Sequence, residues 1–166
     1  MSAIAIRPER AGDEAVIHAL TEAAFRDMPF SDGDEQDLVD ALRRDGDLSL
    51  SLVAEDAERI VGHIAFSPVS ISDGTKDWYG LGPVSVWPEL HRQGVGSALV
   101  RRGISDMRAS GAKGIVLLGN PEYYGRLGFE HDPALQYPGP PAEYFQCLVL
   151  DGPPPAGVVA YAPAFG

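Results

Sequence analysis

The stretch that most constrains the fold runs Val84-Ser85-Val86-Trp87-Pro88-Glu89-Leu90-His91-Arg92-Gln93-Gly94-Val95-Gly96-Ser97-Ala98-Leu99. A strand stops at a proline, a glycine-containing loop turns, and a helix opens at once. At about 100° per residue, Val95, Leu99, Val100, Ile104 and Met107 share one half of that helix, and Arg101, Ser105 and Arg108 the other. Such a helix lies against a sheet. Glycines let backbone N–H groups approach an anion closely, and a helix N-terminus adds partial positive charge. The loop therefore reads as a pyrophosphate cradle, with Arg92 placed to reinforce it. A tight strand-to-helix turn without a ligand gives the same pattern. A P-loop does not, because Gly96 is followed by Ser97-Ala98 and no lysine. A dinucleotide fingerprint needs a third glycine where Leu99 stands, in the first strand-helix unit of a parallel sheet.

The surrounding chain supplies the rest of the layers. Ala3 to Ile6 reads as a short strand stopped by Pro8. Gly12-Asp13-Glu14 opens a helix with Val16, Ile17, Leu20 and Ala24 at helical spacing, and Met28 to Gly33 breaks it. Glu35 to Arg44 is a second helix striped by Leu38, Val39 and Leu42. A meander follows: Leu48 to Ala54, Ile60 to Ile71 interrupted near Pro68, and Trp78 to Val86, with turns at Asp56 to Arg59 and Asp73 to Asp77. Ile115 to Leu118 is wholly apolar, as expected of a buried strand with parallel neighbours. Glu122 to Leu127 is a short helix, and Tyr144 to Leu150 and Val158 to Tyr161 are strands set among prolines that act as stiff turns. A meander followed by a β-α-β crossover predicts an α/β fold with a mixed sheet and helices on both faces.

Composition narrows the function classes. The 166 residues suit one domain, and the net charge of −11 comes without a Lys/Arg run, which excludes a nucleic-acid footprint and disfavours an anionic membrane surface. No stretch approaches the roughly 18 apolar residues of a membrane span, and the N-terminus lacks an apolar signal core. Cys147 is the only cysteine, so no intrachain disulfide forms and a reduced, cytoplasmic setting is expected. It sits in an alternating strand without a basic neighbour and reads as core. His18, His63, His91 and His131 show no metal-ligand spacing, so no metal is predicted. The charge is uneven: residues 1–60 hold 15 acidic and 6 basic residues, whereas residues 87–128 hold 3 and 6. One side would meet an anion and the other a cation, unless the acidic side is only a solvated face.

The cradle also resembles a known family, the GNAT superfamily of N-acetyltransferases, whose pattern is [Gln/Arg]-x-x-Gly-x-[Gly/Ala] after a strand ending in Val-x-Pro. Here His91-Arg92-Gln93-Gly94-Val95-Gly96 follows Val86-Trp87-Pro88, and Tyr123-Tyr124-Gly125-Arg126-Leu127-Gly128-Phe129 resembles the family's aromatic-Tyr-x-x-Leu-Gly-Phe. The resemblance implies one acetyltransferase domain over residues 3–150, with residues 151–166 a proline-rich turn and an extra strand packed on it. It implies a mostly antiparallel central sheet that splays after the fourth strand.

The same resemblance implies the site. The backbone of Val84, Ser85 and Val86 would bond the pantetheine arm of acetyl-CoA, and the amides of Arg92, Gln93, Gly94, Val95, Gly96 and Ser97 would hold its pyrophosphate. An N–H near Val84 or Ser85 would stabilise the oxyanion, and Tyr124 would protonate the departing thiolate. Tyr123 is expected to face the core. The histidine at 91 departs from the usual Gln or Arg. Leu117 stands where relatives often carry an asparagine, which leaves Asn120 as a cofactor contact in a shortened connection. The base stays open between His63, the acids Glu22, Asp32, Asp34 and Glu35, and a water route. The implied function is transfer of an acetyl group from acetyl-CoA to a primary amine of a small molecule or peptide, cationic if the acidic segment borders the acceptor. A non-catalytic acyl-CoA-binding module and a nucleotide binder are the alternatives. The chain would act as a monomer or homodimer.

Overall fold

The computed structural model describes residues 3–29, 31–57 and 59–166; Phe30, in the expected break, and Glu58, in the expected turn, lie outside them. Thirteen elements follow in order: β1 Ala5–Pro8, α1 Glu14–Phe25, α2 Glu35–Asp45, β2 Leu50–Glu55, β3 Ile60–Pro68, β4 Ser70–Ile71, β5 Trp78–Val86, α3 Val95–Ala109, β6 Gly114–Leu118, α4 Pro121–Gly125, β7 Leu135–Gln136, β8 Phe145–Val149 and β9 Gly157–Ala160. Pro8 ends β1 instead of lying beyond it, because β1 is an edge strand where a missing N–H costs no ladder bond. The short helix starts and ends earlier than its sequence suggests. Pro121 fits its first turn, and Asn120 Oδ1 caps it by accepting from the Glu122 N–H at 2.9 Å.

The main sheet has the order β1-β2-β3-β5-β6-β8 and is antiparallel except for β5 with β6. β4 and β7 have two residues each, too short for a periodic signal, and they pair with β9 in a second sheet of order β4-β9-β7. The tail strand is thereby tied to two other parts of the chain. Alternation divides the main sheet into two faces. Leu52, Ile64 and Phe66 meet Leu99, Val100 and Ile104 of α3 on one face, while Val53 and Ile60 meet Ile17, Leu20 and Val39 of α1 and α2 on the other. Each fully buried leucine contributes about 2 kcal/mol. Arg43 pins α2 to the sheet through both oxygens of Glu9, at 2.6 and 3.1 Å.

One break in this sheet creates the site. β5 pairs with β6 only at Trp78↔Gly114, Tyr79↔Ile115 and Gly80↔Val116. Beyond Gly80, β5 stays with β3 to Val86, while β6 stays with β8 to Leu118↔Phe145. The two halves part and leave a wedge after the fourth strand of the sheet, as expected. The register of β5 against β3 shifts between Ile64 and Phe66, opposite Gly82-Pro83, where a proline cannot continue the ladder.

Candidate active site

At the wide end of the wedge, the turn from β5 into α3 forms a cavity of about 190 Å³ walled by Val86, His91, Arg92, Gly94, Gly96 and Tyr123. Gly94 is the N-cap of α3 at φ +85°, and Arg92 is also left-handed at +67°. These conformations turn successive amides in one direction. The His91 amide donates to Pro88 O at 3.3 Å, and among the described residues the next amide along the turn with an acceptor is that of Ala98, which donates to Gly94 O at 3.0 Å. Six consecutive amides, from Arg92 to Ser97, are left to face the cavity or solvent, and Arg92 is exposed beside them. A Cβ on Gly96 would point at Tyr123 Oη from 3.7 Å, across the space the amides line. The donors, the helix terminus and the size suit a phosphate-bearing group.

The strand leading to this turn has a definite polarity. Trp87 N donates to Val61 O at 3.2 Å, so residues 87 and 61 form a hydrogen-bonded pair. Such pairs alternate along an antiparallel ladder. Ser85, opposite His63, therefore turns both backbone groups to β3, whereas Val84 and Val86 turn theirs to the open wedge. This corrects the expectation for Ser85: its N–H is spent in the sheet, and its buried Oγ lies 3.4 Å from Thr21 Oγ1 on the other face. The Val86 carbonyl already has a donor, the His91 Nε2–H at 2.8 Å. The unusual histidine thus braces the end of the strand.

The two tyrosines of α4 divide differently from expectation. Tyr123 does not face the core. Its hydroxyl meets Ser97 Oγ at 2.7 Å and closes one wall of the α3 cavity. Tyr124 is half-buried with its ring edge-on to Tyr123 and Phe129, and it packs so closely on Gly119 that a Cβ there would sit 2.5 Å from the ring. Burial, and secondarily Tyr123, pushes the Tyr124 hydroxyl up to about 12, so it holds its proton at neutral pH. It opens onto a second cavity of about 510 Å³ in the wedge, shared with Pro83 and Val84 and reached by Asp32, Asp34 and Glu35. Sequence spacing could not have joined these acids to Tyr124, which lies almost a hundred residues away.

Other expected residues fall outside the wedge. His63 is fully buried on the α1 face. Ser51 Oγ donates to Glu9 Oε1 at 2.7 Å and so accepts from His63 Nε2 at 2.8 Å, which leaves Nδ1 as an unpartnered lone pair. Burial lowers this imidazole to about 4. It is a neutral core group and cannot serve as the base at the wedge. Asn120 is exposed, with its carbonyl oxygen spent on the cap. Cys147 is buried, which pushes its thiol up to about 11, in keeping with a core role. The fold brings His18, Asp37 and Asp40 to within 4.8 Å of one another, which histidine spacing did not show, but His18 Nδ1 is bonded to Asp40 at 2.8 Å and the group lies on the surface. Among the described residues no helix is long and apolar enough to cross a membrane.

Residues 5–131 match the family model described as the acetyltransferase (GNAT) domain, over the β5–α3 turn and α4 together. The chain belongs to the GNAT acetyltransferase family. This GNAT acyltransferase is 38% identical over 139 residues to the uncharacterized N-acetyltransferase YhbS of Escherichia coli strain K12, covering 81% of this chain and 80% of that protein. Its fold matches a GNAT family acetyltransferase from Brucella melitensis, crystallised in complex with acetyl-CoA, with a TM-score of 0.88 and 46% identity over 100% of both chains. It also matches E. coli YhbS in complex with CoA, with a TM-score of 0.87 and 34% identity over 99% of this chain and 93% of that one.

Proposed function

We propose that the protein transfers the acetyl group of acetyl-CoA directly to a primary amine. The observation that carries this reading is the placement of the Val84 amide face and the Tyr124 ring in one wedge cavity, next to the free amides of the α3 turn. The amides of Arg92 to Ser97 would hold the pyrophosphate, and the wedge-facing backbone of Val84 and Val86 would align the pantetheine arm. Acetyl-CoA supplies a thioester whose carbonyl an amine attacks. The Val84 N–H faces the wedge and is placed to stabilise charge on that carbonyl oxygen. Tyr124, a phenol protonated at neutral pH, donates its proton to the departing sulfur. With His63 shut into the core, proton removal from the ammonium falls to the wedge carboxylates or to water.

The acceptor is a small-molecule or peptide amine that arrives as a cation. Asp32, Asp34 and Glu35 reach the wedge cavity, while nearby Arg26, Arg43 and Arg44 pair with other acids. An unneutralised acidic rim concentrates cations, and salt screens the effect over about 8–10 Å. Thiol release from acetyl-CoA, measured with a panel of primary amines across a salt series, tests both statements. Amine-dependent release with kcat/KM falling as salt rises is expected. Acetyl-CoA bound without any amine-dependent release would leave a non-catalytic acyl-CoA-binding module instead. Salt-independent rates would reduce the acids to solvated surface.

A further inference from the structure

We infer that the acceptor is a primary amine carried on an aromatic body, and that the C-terminal turn builds the wall that selects it. This rests on the transferase reading and names the substrate class of the same site. The wedge cavity has two unlike walls. The α1–α2 segment supplies the carboxylates of Asp32, Asp34 and Glu35. The same cavity is also lined by the rings of Tyr137, Tyr161 and Phe165. Tyr161 stands edge-on to Tyr137 with ring centroids 5.0 Å apart, and Phe165 is tilted against Tyr161 at the same separation.

Tyr161 is fixed where the sheet parts. Gly80 is the last residue of β5 to pair with β6, and a Cβ on it would sit 2.6 Å from the Tyr161 ring. The wall is held from both sides: β9, just before Tyr161, pairs with β4 and β7, and the turn Pro163–Phe165 packs on α2. The lining nevertheless keeps open apolar surface: Phe165 is 37% exposed and Leu118 is 41% exposed. A polar or purely acidic cleft would have suited a sugar amine or a polyamine. Aromatic side chains in the lining of a cavity of about 510 Å³ favour a flat apolar body packed against them, at offset or edge-on separations of about 4.5–7 Å. Its ammonium enters past the carboxylates and reaches Val84 and Tyr124 at the inner end.

The test compares 2-phenylethylamine with butylamine, with kcat/KM expressed per free amine because the aryl group makes 2-phenylethylamine the weaker base. The wild-type protein is expected to show kcat/KM at least tenfold higher for 2-phenylethylamine, mostly through KM. Phe165→Ala and Tyr161→Leu should each bring that ratio towards one, while the Kd for acetyl-CoA, read by calorimetry, stays as in the wild type. Equal kcat/KM for the two amines, or a preference that neither variant reduces, would overturn the inference and leave the transferase reading standing. If neither amine is acetylated while other primary amines of the panel are, the inference is overturned; if no amine of the panel is acetylated while acetyl-CoA binds, the transferase reading fails instead. Calorimetric titration of 2-phenylethylamine into the acetyl-CoA complex then decides the pocket: tighter binding than butylamine, lost in Phe165→Ala, supports it, and no difference overturns it.

Discussion

The hydroxyls of Ser97 and Tyr123 lie 2.7 Å apart and join the first turn of α3 to α4. The bond crosses 26 residues of sequence and couples the amide turn to the helix that carries Tyr124. Tyr123→Phe keeps the ring and removes the link. One hydrogen bond at this position is worth about 1 kcal/mol, so acetyl-CoA should bind roughly fivefold more weakly. Calorimetry on this variant and on Ser97→Ala should give similar losses, and the double variant should lose little more than either alone.

Tyr124→Phe separates chemistry from binding. The ring still fills the space against Gly119 and Phe129. Loss of the hydroxyl should lower kcat by roughly 10–1000-fold, the range of one general acid. The Kd for acetyl-CoA should change little. Steady-state kinetics beside calorimetry will show this split, and undiminished turnover would assign protonation of the sulfur to another group or to water.

Gly96 offers a clean probe of the amide turn. Its backbone is helical and a Cβ there meets nothing closer than 3.7 Å, so substitution should leave the fold intact. Gly96→Glu should abolish acetyl-CoA binding, because the side chain fills the cavity and its charge repels phosphate. Gly94→Glu blocks the same turn but also forces a side chain onto φ +85°, at a cost of about 1–2 kcal/mol. Thermal melts should therefore fall for the second variant and not for the first. Unchanged affinity in Gly96→Glu would remove the assigned phosphate site.

His63 gives a pH signature of stability. Its folded value, about 4, lies below the ordinary 6.5 because the buried ring disfavours charge. Between these values the unfolded chain binds more protons than the folded one. The contribution of neutral His63 is thus fully present above pH 6.5 and is lost as pH falls towards 4. A full shift of this size corresponds to about 3 kcal/mol. His63→Gln retains an N–H for Ser51 and should flatten the stability profile between pH 4 and 6.5 in urea denaturation. Activity above pH 7 should not follow this residue, since it faces away from the wedge.

Much of the frame was legible because it is written in neighbouring residues. The glycines at 94 and 96 follow a strand and open an apolar-striped helix, and backbone conformation at such a turn depends on the residues that form it. The wholly apolar run at 115–118 reported burial for Ile115 to Leu117, while Leu118 emerges where the sheet parts; in the meander, β3 is buried at nearly every position because helices cover both faces, so alternation there marked the face and not the burial. The pair Tyr123-Tyr124 was visible, but which ring turned to which cavity was not, because a five-residue helix has too few turns to fix a face.

The wedge belongs to the tertiary structure alone. Its existence depends on β5 and β6 ceasing to pair after Gly80↔Val116, a relation between strands separated by a helix. The choice of Val84 over Ser85 depends on the register against β3, which a slip of one residue would reverse. His63 looked like a base by its ordinary titration range, and only packing against α1 and the bond to Ser51 made it a neutral core group. The walls of the wedge cavity include Phe25 and Asp32, Leu81 and Val84, Leu118 and Tyr124, and Tyr137 and Phe165, brought together by a sheet that closes over long stretches of chain. The sequence determined local backbone and faces because those obey short periods; the cavity needed the global pairing of strands, which no short period encodes.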